Sequence, residues 1–583
     1  MALTPFDAGP NDEAAAPNLS GAVIAIQFEG ERIEARAGES LAAALVAHGV
    51  TSFRTTRLGT ARGVFCGMGV CQDCLVEVDG RPNQRACMTK VDRPLIVRRE
   101  AHARPLASLA SGARPISIDD IRTRTPDLLV IGAGPGGLSA AIAARRAGAD
   151  VLVVDERSQP GGQYFKQLST AGAASQPPDA QHLEGATLIE SVRRLGAEIL
   201  SGVTVWGAFA PNEFAATAEG STLRLLPKAT IIATGAYERG WPVPGWTLPG
   251  VMTTGAAQTL WRTSRRLPGQ RVLVAGNGPL NLQVSAELIA GGAELVAVVE
   301  AAPCPGPRKF WPLARMALAS PSLVRNGLRY HAMRRSAGVP ILHGLCIAGI
   351  EQTQKGLSVR TTSVAKAASG PRFEVDAVCL GYGFEPANEL TRSLGCRHEY
   401  DATRRQMIPW RDAQGLTDAR GVYAVGDCAG LGGARAALAE GTLVGLAAAR
   451  ALGCAPPPEL DREARHASAA LAGHRRFQDA LWRLYAAPPY SAGLATPETL
   501  ICRCEEISFG QVEEALNEGI RQIGAVKRRT RVGMGLCQGR YCGPVLDTVL
   551  AERFGRPRDP HGGFASRAPA KPVAIADLVR RQP

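Results

Sequence analysis

The sequence predicts a multidomain α/β protein with two dinucleotide-binding-type units in its centre and a small cysteine-rich domain at each end. Three observations predict this class. The chain has 583 residues, too many for one hydrophobic core. Segments 126–163 and 271–300 each combine a strand, a glycine turn, a helix and a second strand. Eight of the 14 cysteines fall into two groups of four with short spacings.

These observations divide the chain into eight predicted parts. Residues 106–125 are small, polar and proline-containing without periodicity, which is typical of a linker. The predicted parts are a disordered N-terminus (1–19), a first cysteine domain (20–105), the linker (106–125), a discontinuous nucleotide domain (126–265 and 375–455), an inserted second nucleotide-type domain (266–374), a helical connector (456–499), a second cysteine domain (500–555) and a mobile tail (556–583).

Composition and charge exclude several functional classes. The formal net charge is +13, but it is spread along the chain without a basic arm, so we expect no nucleic-acid partner. The N-terminus lacks the basic and apolar regions of a signal peptide. No apolar stretch approaches the roughly 18 residues that span a membrane. We therefore expect a cytoplasmic protein whose cysteines do not form a disulfide framework.

The first nucleotide-type unit reads PDLLVIGAGPGGLSAAIAARRAGADVLVVDERSQPGGQ. Its G-x-G-x-x-G turn consists of Gly132, Gly134 and Gly137, which allow the tight turn, the approach of a pyrophosphate and close helix–strand packing. The helix that follows directs its N-terminal N–H groups at the phosphates. Glu156 lies nineteen residues beyond Gly137 and is placed to accept hydrogen bonds from a ribose.

Further along the same body, PGGQYF, IIATGAYERG and GVYAVGDCAG follow in that order. This order resembles flavoproteins with two dinucleotide-binding domains, such as thioredoxin reductase. The resemblance implies an FAD site in which backbone at Gly162 and Gln163 approaches the flavin. It further implies that Thr234 and Gly235 close a buried strand, and that Asp427 accepts a hydrogen bond from a ribityl hydroxyl.

The second nucleotide-type unit departs from this pattern. RVLVAGNGPLNLQVSAELIAGGAELVAVVE retains Gly276 and Gly278, and Glu300 ends its second strand as a ribose acceptor would. Asn281, however, occupies the third glycine position, where a side chain is expected to push the helix off the strand. Binding of NAD(P) or another nucleotide and a structural relic of a nicotinamide domain both remain open.

The first cysteine group indicates an iron–sulfur cluster. Cys66, Cys71, Cys74 and Cys87 follow the spacing C-x4-C-x2-C, with the fourth cysteine after twelve more residues. This is the plant-type [2Fe–2S] arrangement. Zinc also takes four cysteines, but it favours paired C-x2-C knuckles.

The second cysteine group consists of Cys502, Cys504, Cys537 and Cys542, in ICRCEEIS and GLCQGRYCG. It resembles the [2Fe–2S] domain of bacterioferritin-associated ferredoxin, where the last two cysteines are usually closer together. Four closely spaced basic residues lie between the two pairs. Three roles are open for them: to offset the charge of the cluster, to hold a flavin phosphate, or to form a solvated loop. The four residues are Lys527, Arg528, Arg529 and Arg531.

The other six cysteines are single, so no dithiol faces the flavin and disulfide reduction is a poor hypothesis. They are Cys304, Cys346, Cys379, Cys396, Cys428 and Cys454.

Nearly the whole chain resembles one group of proteins. The shared text is RGVFCGMGVCQDC with RACMT, ATGAYERGWPVPGWTLPGVMTTGAAQ, GYGFEPANEL, and CRCEE with GMGLCQGRYCG. It is similar to the α-type subunits of hydrogen cyanide synthase, opine oxidases, D-hydroxyproline dehydrogenase and heterotetrameric sarcosine oxidase. The ferredoxin-like part, a separate small subunit in several relatives, is fused here at the N-terminus. Nothing in residues 556–583 resembles the folate-binding domain of the sarcosine oxidase α chain, so we expect no coupling to folate.

The resemblance implies an electron-transfer subunit of a heteromeric amine or amino-acid dehydrogenase. The substrate is then oxidised on an FAD-containing β-type subunit, and electrons arrive through a flavin, FMN, at the subunit interface. FAD and two [2Fe–2S] clusters on this chain suit the division of a hydride into single electrons. An unidentified electron acceptor is expected, which is compatible with a position peripheral to the inner membrane. The alternatives are a self-sufficient NAD(P)H:acceptor reductase and a zinc scaffold.

No catalytic acid or base is predicted on this chain. Tyr164, His331, Tyr382 and Glu440 are residue types that occur near flavins, and we expect structural roles for them. The substrate would contact the partner subunit, so the sequence does not identify it.

Overall fold

The computed structural model describes most of the chain as a continuous packed structure. The described residues are 22–100, 114–115, 121–170, 173, 176–218, 220–365, 368–555 and 563–580. The predicted disordered segment 1–19 and most of the predicted linker 106–125 lie outside these ranges.

The N-terminal domain is a five-stranded sheet with one helix packed on it. The helix begins after Ser40, whose side chain accepts a hydrogen bond from the Ala43 N–H. Its sheet runs in the order 31–36, 23–28, 96–99, 75–78, 81–85. The elements are strands Val23–Phe28, Glu31–Arg36, Arg54–Thr55, Ala61–Arg62, Leu75–Val78, Arg81–Arg85 and Ile96–Arg99, and helix Leu41–Ala47.

The first nucleotide domain is built on a parallel five-stranded sheet. Its central strands are fully buried and read as continuous apolar runs, because helices cover one face and strands between residues 204 and 225 pack on the other. In sheet order the strands are Glu198–Ser201, Val151–Asp155, Leu128–Ile131, Ala229–Ile232 and Val422–Ala424. The helices are Pro135–Arg146, Ala180–Arg194 and Ala434–Ala451.

The second nucleotide-type domain repeats this design. In sheet order its strands are Val251–Thr253, Ala377–Gly381, Arg271–Gly276, Glu294–Glu300 and Ile341–His343. Its helices are Thr254–Ser264, Pro279–Ala290, Phe310–Ala319 and Pro321–Ser336. The sheet thus includes strands on both sides of the predicted insert 266–374. The sequence placed those two strands in the first domain because they are short and adjoin its signature motifs.

Smaller sheets complete the body. One consists of Thr204–Ala210, Glu213–Ala218, Ser221–Leu225 and Arg122–Arg124, and another of Leu345–Thr353, Gly356–Ser363 and Ser369–Val375. Two-stranded pairs join Ala236–Glu238 with Phe384–Pro386 and His398–Asp401 with Gln406–Pro409. Strand Arg122–Arg124 therefore places the end of the predicted linker inside a sheet.

The C-terminal part begins with the 27-residue helix Pro458–Leu484. The second cysteine domain follows, and its first helix starts with a capping box formed by Ser508 and Gln511. Its elements are strands Leu500–Cys502 and Ile507–Ser508 and helices Phe509–Asn517, Ile523–Thr530 and Cys542–Phe554.

Residues 563–580 return to the flavoprotein body, whereas the sequence predicted a mobile tail over 556–583. The Ala570 N–H donates to Trp206 O over 2.6 Å, and Thr222 Oγ1 donates to Asp577 O over 2.7 Å. Strand Val579–Arg580 pairs with Arg114–Pro115. These contacts could not be predicted from the proline-rich sequence, because backbone contacts with a distant part of the chain leave no periodic pattern.

Candidate flavin and iron–sulfur site

A cavity of about 650 Å³ opens between the two nucleotide-type domains. Most of the residues that the sequence predicted to bind FAD contribute to its wall. They are Gly132, Gly134, Glu156, Gly162, Gln163, Thr234, Gly235 and Asp427. Gly137 lies behind the wall in the first turn of helix Pro135–Arg146. A dinucleotide-sized concave site therefore forms where the sequence placed one.

The glycine turn has the close contacts that its spacing predicts. A Cβ atom at Gly137 would lie 1.8 Å from Gly132 O. Gly132 itself has φ +111° and would place a Cβ 2.4 Å from Ala233 O. Gly162, with φ +64°, brings its loop against the turn, where a Cβ would lie 2.7 Å from Gly134 Cα. Helix, strand and loop can therefore approach this closely only with glycine at these positions.

Two neighbouring acidic residues, Asp155 and Glu156, stand at the end of the second strand, and their carboxylates have different partners. The carboxylate of Asp155 accepts hydrogen bonds from the Ala133 N–H over 2.6 Å and from the Arg157 N–H over 2.8 Å. Glu156, which the sequence analysis proposed as the ribose acceptor, lines the cavity and pairs with Lys571 over 2.5 Å. Asp155 thus orders the glycine turn, and Lys571 closes one side of the cavity from the C-terminal segment.

The two signatures near the flavin end are also held by buried contacts. Asp427 Oδ1 accepts hydrogen bonds from the Gly432 and Gly433 N–H groups over 3.0 and 2.9 Å. Burial raises the pKa of this carboxyl. Thr234 Oγ1 donates to Ala387 O over 2.5 Å. Both loops are fixed by these bonds while they face the cavity.

Sequence reasoning missed a buried lysine and glutamate in the cavity wall. Lys166 Nζ donates to Gln163 O and to Gln258 Oε1 over 2.5 and 2.9 Å. Burial, with Arg157 and Arg262 nearby, lowers the pKa of Lys166 to about 7. Burial raises the pKa of Glu238, which accepts the Gly255 N–H, to about 7. Lys166 directly follows PGGQYF and Glu238 lies within ATGAYERG, and these positions are their only signal in the sequence.

Two of the four residues that the sequence analysis expected to be structural, Glu440 and Tyr382, have the contacts of such a role. Glu440 Oε2 accepts the Gly426 N–H over 2.8 Å and pairs with Arg411. The Tyr382 hydroxyl accepts the Ile347 N–H, and its ring stacks on Trp241 at 3.7 Å. Tyr164 and His331 line the cavity.

The second glycine turn accommodates Asn281 without losing its helix. The Asn281 side chain donates to Gly381 O and accepts from Thr254 Oγ1, both over 3.0 Å. It fits because Gly276 and Gly381 lack side chains, and a Cβ at Gly381 would lie 2.0 Å from Asn281 Oδ1. The sequence analysis expected this side chain to push the helix off the strand. The structure instead shows it as a hydrogen-bonded spacer between helix and sheet.

Glu300 holds the second turn much as Asp155 holds the first. Its carboxylate accepts hydrogen bonds from the Gly278 N–H over 3.1 Å and from the Ala302 N–H over 2.9 Å. The neighbouring Asn277 side chain donates to Tyr485 O over 3.0 Å, just beyond the long helix. Of this unit, Pro279 and Leu280 reach the main cavity wall.

Burial raises the pKa of Glu300 from 4.5 to about 7, so we expect a pH-dependent stability. Below about pH 4.5 the Glu300 carboxyl is protonated in both the folded and the unfolded protein, and its contribution to the unfolding free energy is at its maximum. As the pH rises through about 7 that contribution is lost, by about 3 kcal/mol for this shift. Glu300→Gln should flatten the fall in unfolding free energy between pH 5 and 8, measured by urea denaturation.

The matched control is Glu294→Gln on the same strand, because the Glu294 side chain is 70% exposed. This variant should keep the pH dependence of the parent protein. If the unfolding free energy fell equally steeply with pH in Glu300→Gln and in the parent protein, the expectation would be contradicted.

The first cysteine group forms two buried thiol pairs. Cys66 is hydrogen-bonded to Cys71, and Cys74 to Cys87. Burial alone would raise the pKa of Cys66. The Cys71 side chain and the backbone N–H groups of residues 68, 70 and 71 outweigh it and lower the pKa to about 6. Burial and the neighbouring thiols raise the pKa of Cys71 and Cys87, so among these cysteines it is Cys66 that favours the thiolate, the form that binds iron.

The second group has the same organisation. Cys502 pairs with Cys542, and Cys504 pairs with Cys537. The wider C-x4-C gap thus still brings its last two cysteines to the site. The basic residues between the pairs lie on helix Ile523–Thr530 and just after it. Arg529 and Arg531 form exposed ion pairs with Glu518 and Glu505, which fits the solvated alternative.

Two pairs per site fit a two-iron cluster, since each iron takes two protein thiolates. Each site therefore offers four thiols in two pairs, the number that a [2Fe–2S] cluster takes.

Both cysteine loops reach the large cavity. Met68 and Val70 of the first loop line its wall, and so does Arg540 of the second. Tyr237, another wall residue, lies 6.0 Å from Tyr541 between ring centroids. Fold and site together define a flavoprotein body with an iron–sulfur domain at each end, and all three centres share one region.

Comparison with known proteins agrees with this class. The chain matches the family models "Pyridine nucleotide-disulphide oxidoreductase" over 126–441, "2Fe-2S iron-sulfur cluster binding domain" over 21–102 and "BFD-like [2Fe-2S] binding domain" over 500–552. It is 34% identical to an opine oxidase subunit from Agrobacterium tumefaciens (strain Ach5), over 78% of this chain and 91% of that protein. It is 29% identical to hydrogen cyanide synthase subunit HcnB of Pseudomonas aeruginosa, over 77% and 97%.

Among solved structures, L-proline dehydrogenase from P. horikoshii shares the fold. The TM-score is 0.70 at 20% identity, and the match covers 96% of this chain and 98% of that one. The chain belongs to the pyridine nucleotide-disulphide oxidoreductase family and, within it, to the group that contains this opine oxidase subunit. The predicted fold class, FAD-binding body and two [2Fe–2S] domains are confirmed.

None of the helices in the described part of the chain combines the length and the apolar character that a membrane crossing requires.

Proposed function

We propose that this protein is the electron-transfer subunit of a heteromeric amine or amino-acid dehydrogenase. The observation that carries the proposal is the shared cavity wall. The first cysteine loop contributes Met68 and Val70 to it, and the second contributes Arg540. When bound, a flavin there exchanges two electrons with an organic donor and single electrons with iron–sulfur clusters.

The chain's own residues have three roles in this proposal. The glycine turn and helix Pro135–Arg146 hold the FAD pyrophosphate at a helix N-terminus. Gln163, Thr234, Gly235 and Asp427 form the wall for the flavin and its ribityl chain. Lys166 and Glu238, with pKa values near 7, hold protons beside the redox centre.

The partner follows from the relatives. The similar chains of opine oxidase and hydrogen cyanide synthase are both named as subunits of those enzymes. We propose an FAD-containing β-type partner that oxidises a secondary amine, opine, hydroxyproline or glycine-type substrate, and FMN at the subunit interface. An acceptor outside this chain then takes the electrons. We also propose that the protein is cytoplasmic and has no nucleic-acid partner.

The alternative function is a self-sufficient NAD(P)H:acceptor reductase that uses the second glycine turn. The test is to add NADH or NADPH to the purified FAD-loaded chain under anaerobic conditions and to measure the absorbance of the flavin. We expect the flavin to stay oxidised and to bleach only when the partner subunit and its amine substrate are added. Rapid stoichiometric bleaching by either nicotinamide without a partner would overturn the proposal.

A further inference from the structure

The two cysteine domains meet through a buried ion pair between their cluster loops. Asp73 lies between Cys71 and Cys74, and Arg503 lies between Cys502 and Cys504. Arg503 Nε donates to Asp73 Oδ2 over 2.7 Å, and the side chains are 3% and 0% exposed. Loss of one partner from such a pair leaves an uncompensated buried charge. The ion pair therefore fixes the two loops against each other.

Arg503 is also held by the core around it. Its Nη1 donates to Trp246 O over 2.7 Å. Its guanidinium carbon lies 3.7 Å from the centre of the Phe65 ring, and Phe65 directly precedes Cys66. Arg503, which lies between two cysteines of the second group, therefore contacts residues beside cysteines of the first group.

A second contact between the domains lies nearby. Glu506, two residues after Cys504, accepts hydrogen bonds from Thr56 Oγ1 over 2.7 Å and from the Leu58 N–H over 3.2 Å. It also pairs with the buried Arg62 over 3.3 Å. The relative position of the loops is therefore set by two independent polar contacts.

Tyr541 is the aromatic residue at this junction. It directly precedes Cys542, and its ring packs edge-to-face on Phe65 at 5.2 Å between centroids. The residue is 2% exposed. Its hydroxyl has no hydrogen-bonding partner among the described residues. A buried unpaired hydroxyl is costly, so its position calls for an acceptor that a bound group supplies.

The acceptor is indicated by the position of the ring. Phe65, on which it packs, directly precedes Cys66. Tyr541 also shares one buried core with Cys66 and Cys71. Cys66 and Cys71 belong to the first cluster although Tyr541 belongs to the second domain. Hydrogen bonds to cluster sulfurs set the potentials of [2Fe–2S] centres.

We propose that Tyr541 donates a hydrogen bond to a sulfur of the N-terminal cluster, and that it forms, with Asp73 and Arg503, a direct junction for electron exchange between the two clusters. The inference rests on the proposed electron-transfer function. The step moves one electron from a reduced cluster, which is oxidised, to an oxidised cluster, which is reduced. No bond changes and no proton is required. Reduced flavin is the source of the electron. All three side chains are positioning residues.

The test is a redox titration of the full chain, loaded with FAD and both clusters and reduced by dithionite, followed by EPR. In the fully reduced parent protein we expect magnetic splitting between the two clusters, which Cys537→Ser, lacking the second cluster, should not show. Tyr541→Phe should shift the potential of the N-terminal cluster to more negative values and keep the iron content.

Tyr490→Phe is the matched control, because Tyr490 is in the same buried core and its hydroxyl donates to Pro242 O over 2.7 Å. This variant should leave the cluster potential unchanged. A parent spectrum equal to the sum of two isolated clusters would overturn the junction. An unchanged potential in Tyr541→Phe would overturn the role of Tyr541. Neither result depends on a partner or on NAD(P)H, so they are distinct from a failure of the proposed function.

Discussion

Gly137→Ala is expected to weaken FAD binding strongly. The added methyl carbon would lie 1.8 Å from Gly132 O. No side-chain rotation relieves this contact, because both partners are backbone. Helix Pro135–Arg146 must therefore move away from its strand, and its N-terminal N–H groups move with it. Overpacking of this kind costs about 1–3 kcal/mol, which weakens FAD binding by about 5- to 150-fold.

The measurement is the ratio of bound FAD to protein after gel filtration, together with a titration of the apoprotein by flavin fluorescence. The neighbouring Gly136→Ala is the matched control. A Cβ at Gly136 would meet Ala437 O and Val425 at 3.5 Å, which is ordinary van der Waals contact. Gly136→Ala should therefore keep its FAD. Equal FAD retention by both variants would show that the Gly132–Gly137 contact does not control the site.

Local signals in the sequence were sufficient for the parts of the site whose geometry is set by neighbouring residues. The first strand predicted in segment 126–163 is observed as Leu128–Ile131. The glycine turn and the cysteine loops likewise depend on backbone within a few residues. Such features leave a spacing in the sequence because glycine and cysteine have few substitutes there.

Contacts between distant parts of the chain could not be predicted in this way. Asp73 and Arg503 are 430 residues apart, and each appears in the sequence as an ordinary charged residue between cysteines. Lys571 and Glu156 are 415 residues apart. Only the packing of the domains brings these pairs together.

Asn281 shows that a motif read alone can lead to a wrong expectation. The departure from G-x-G-x-x-G suggested a displaced helix. The space for its side chain comes instead from Gly381, on a strand that the sequence assigned to the other domain. Whether a substitution is tolerated depends on the strand opposite, and a single motif does not contain that information.

Cys537→Ser is expected to remove the C-terminal cluster and leave the N-terminal one. Cys537 pairs with Cys504, and serine is a poorer ligand for iron than a thiolate. The purified variant should contain about two iron atoms per chain in place of about four, and should keep its FAD. Iron analysis, the visible spectrum and the EPR of the reduced protein measure this change.

Cys304→Ser is the control, because Cys304 is exposed and belongs to neither group of four. It should keep the full iron content and both EPR signals. Because each cysteine domain has its own two thiol pairs, the loss of one ligand in the second domain should not release iron from the first. If Cys537→Ser lost all of its iron, the two clusters could not be independent centres joined by a contact between their loops.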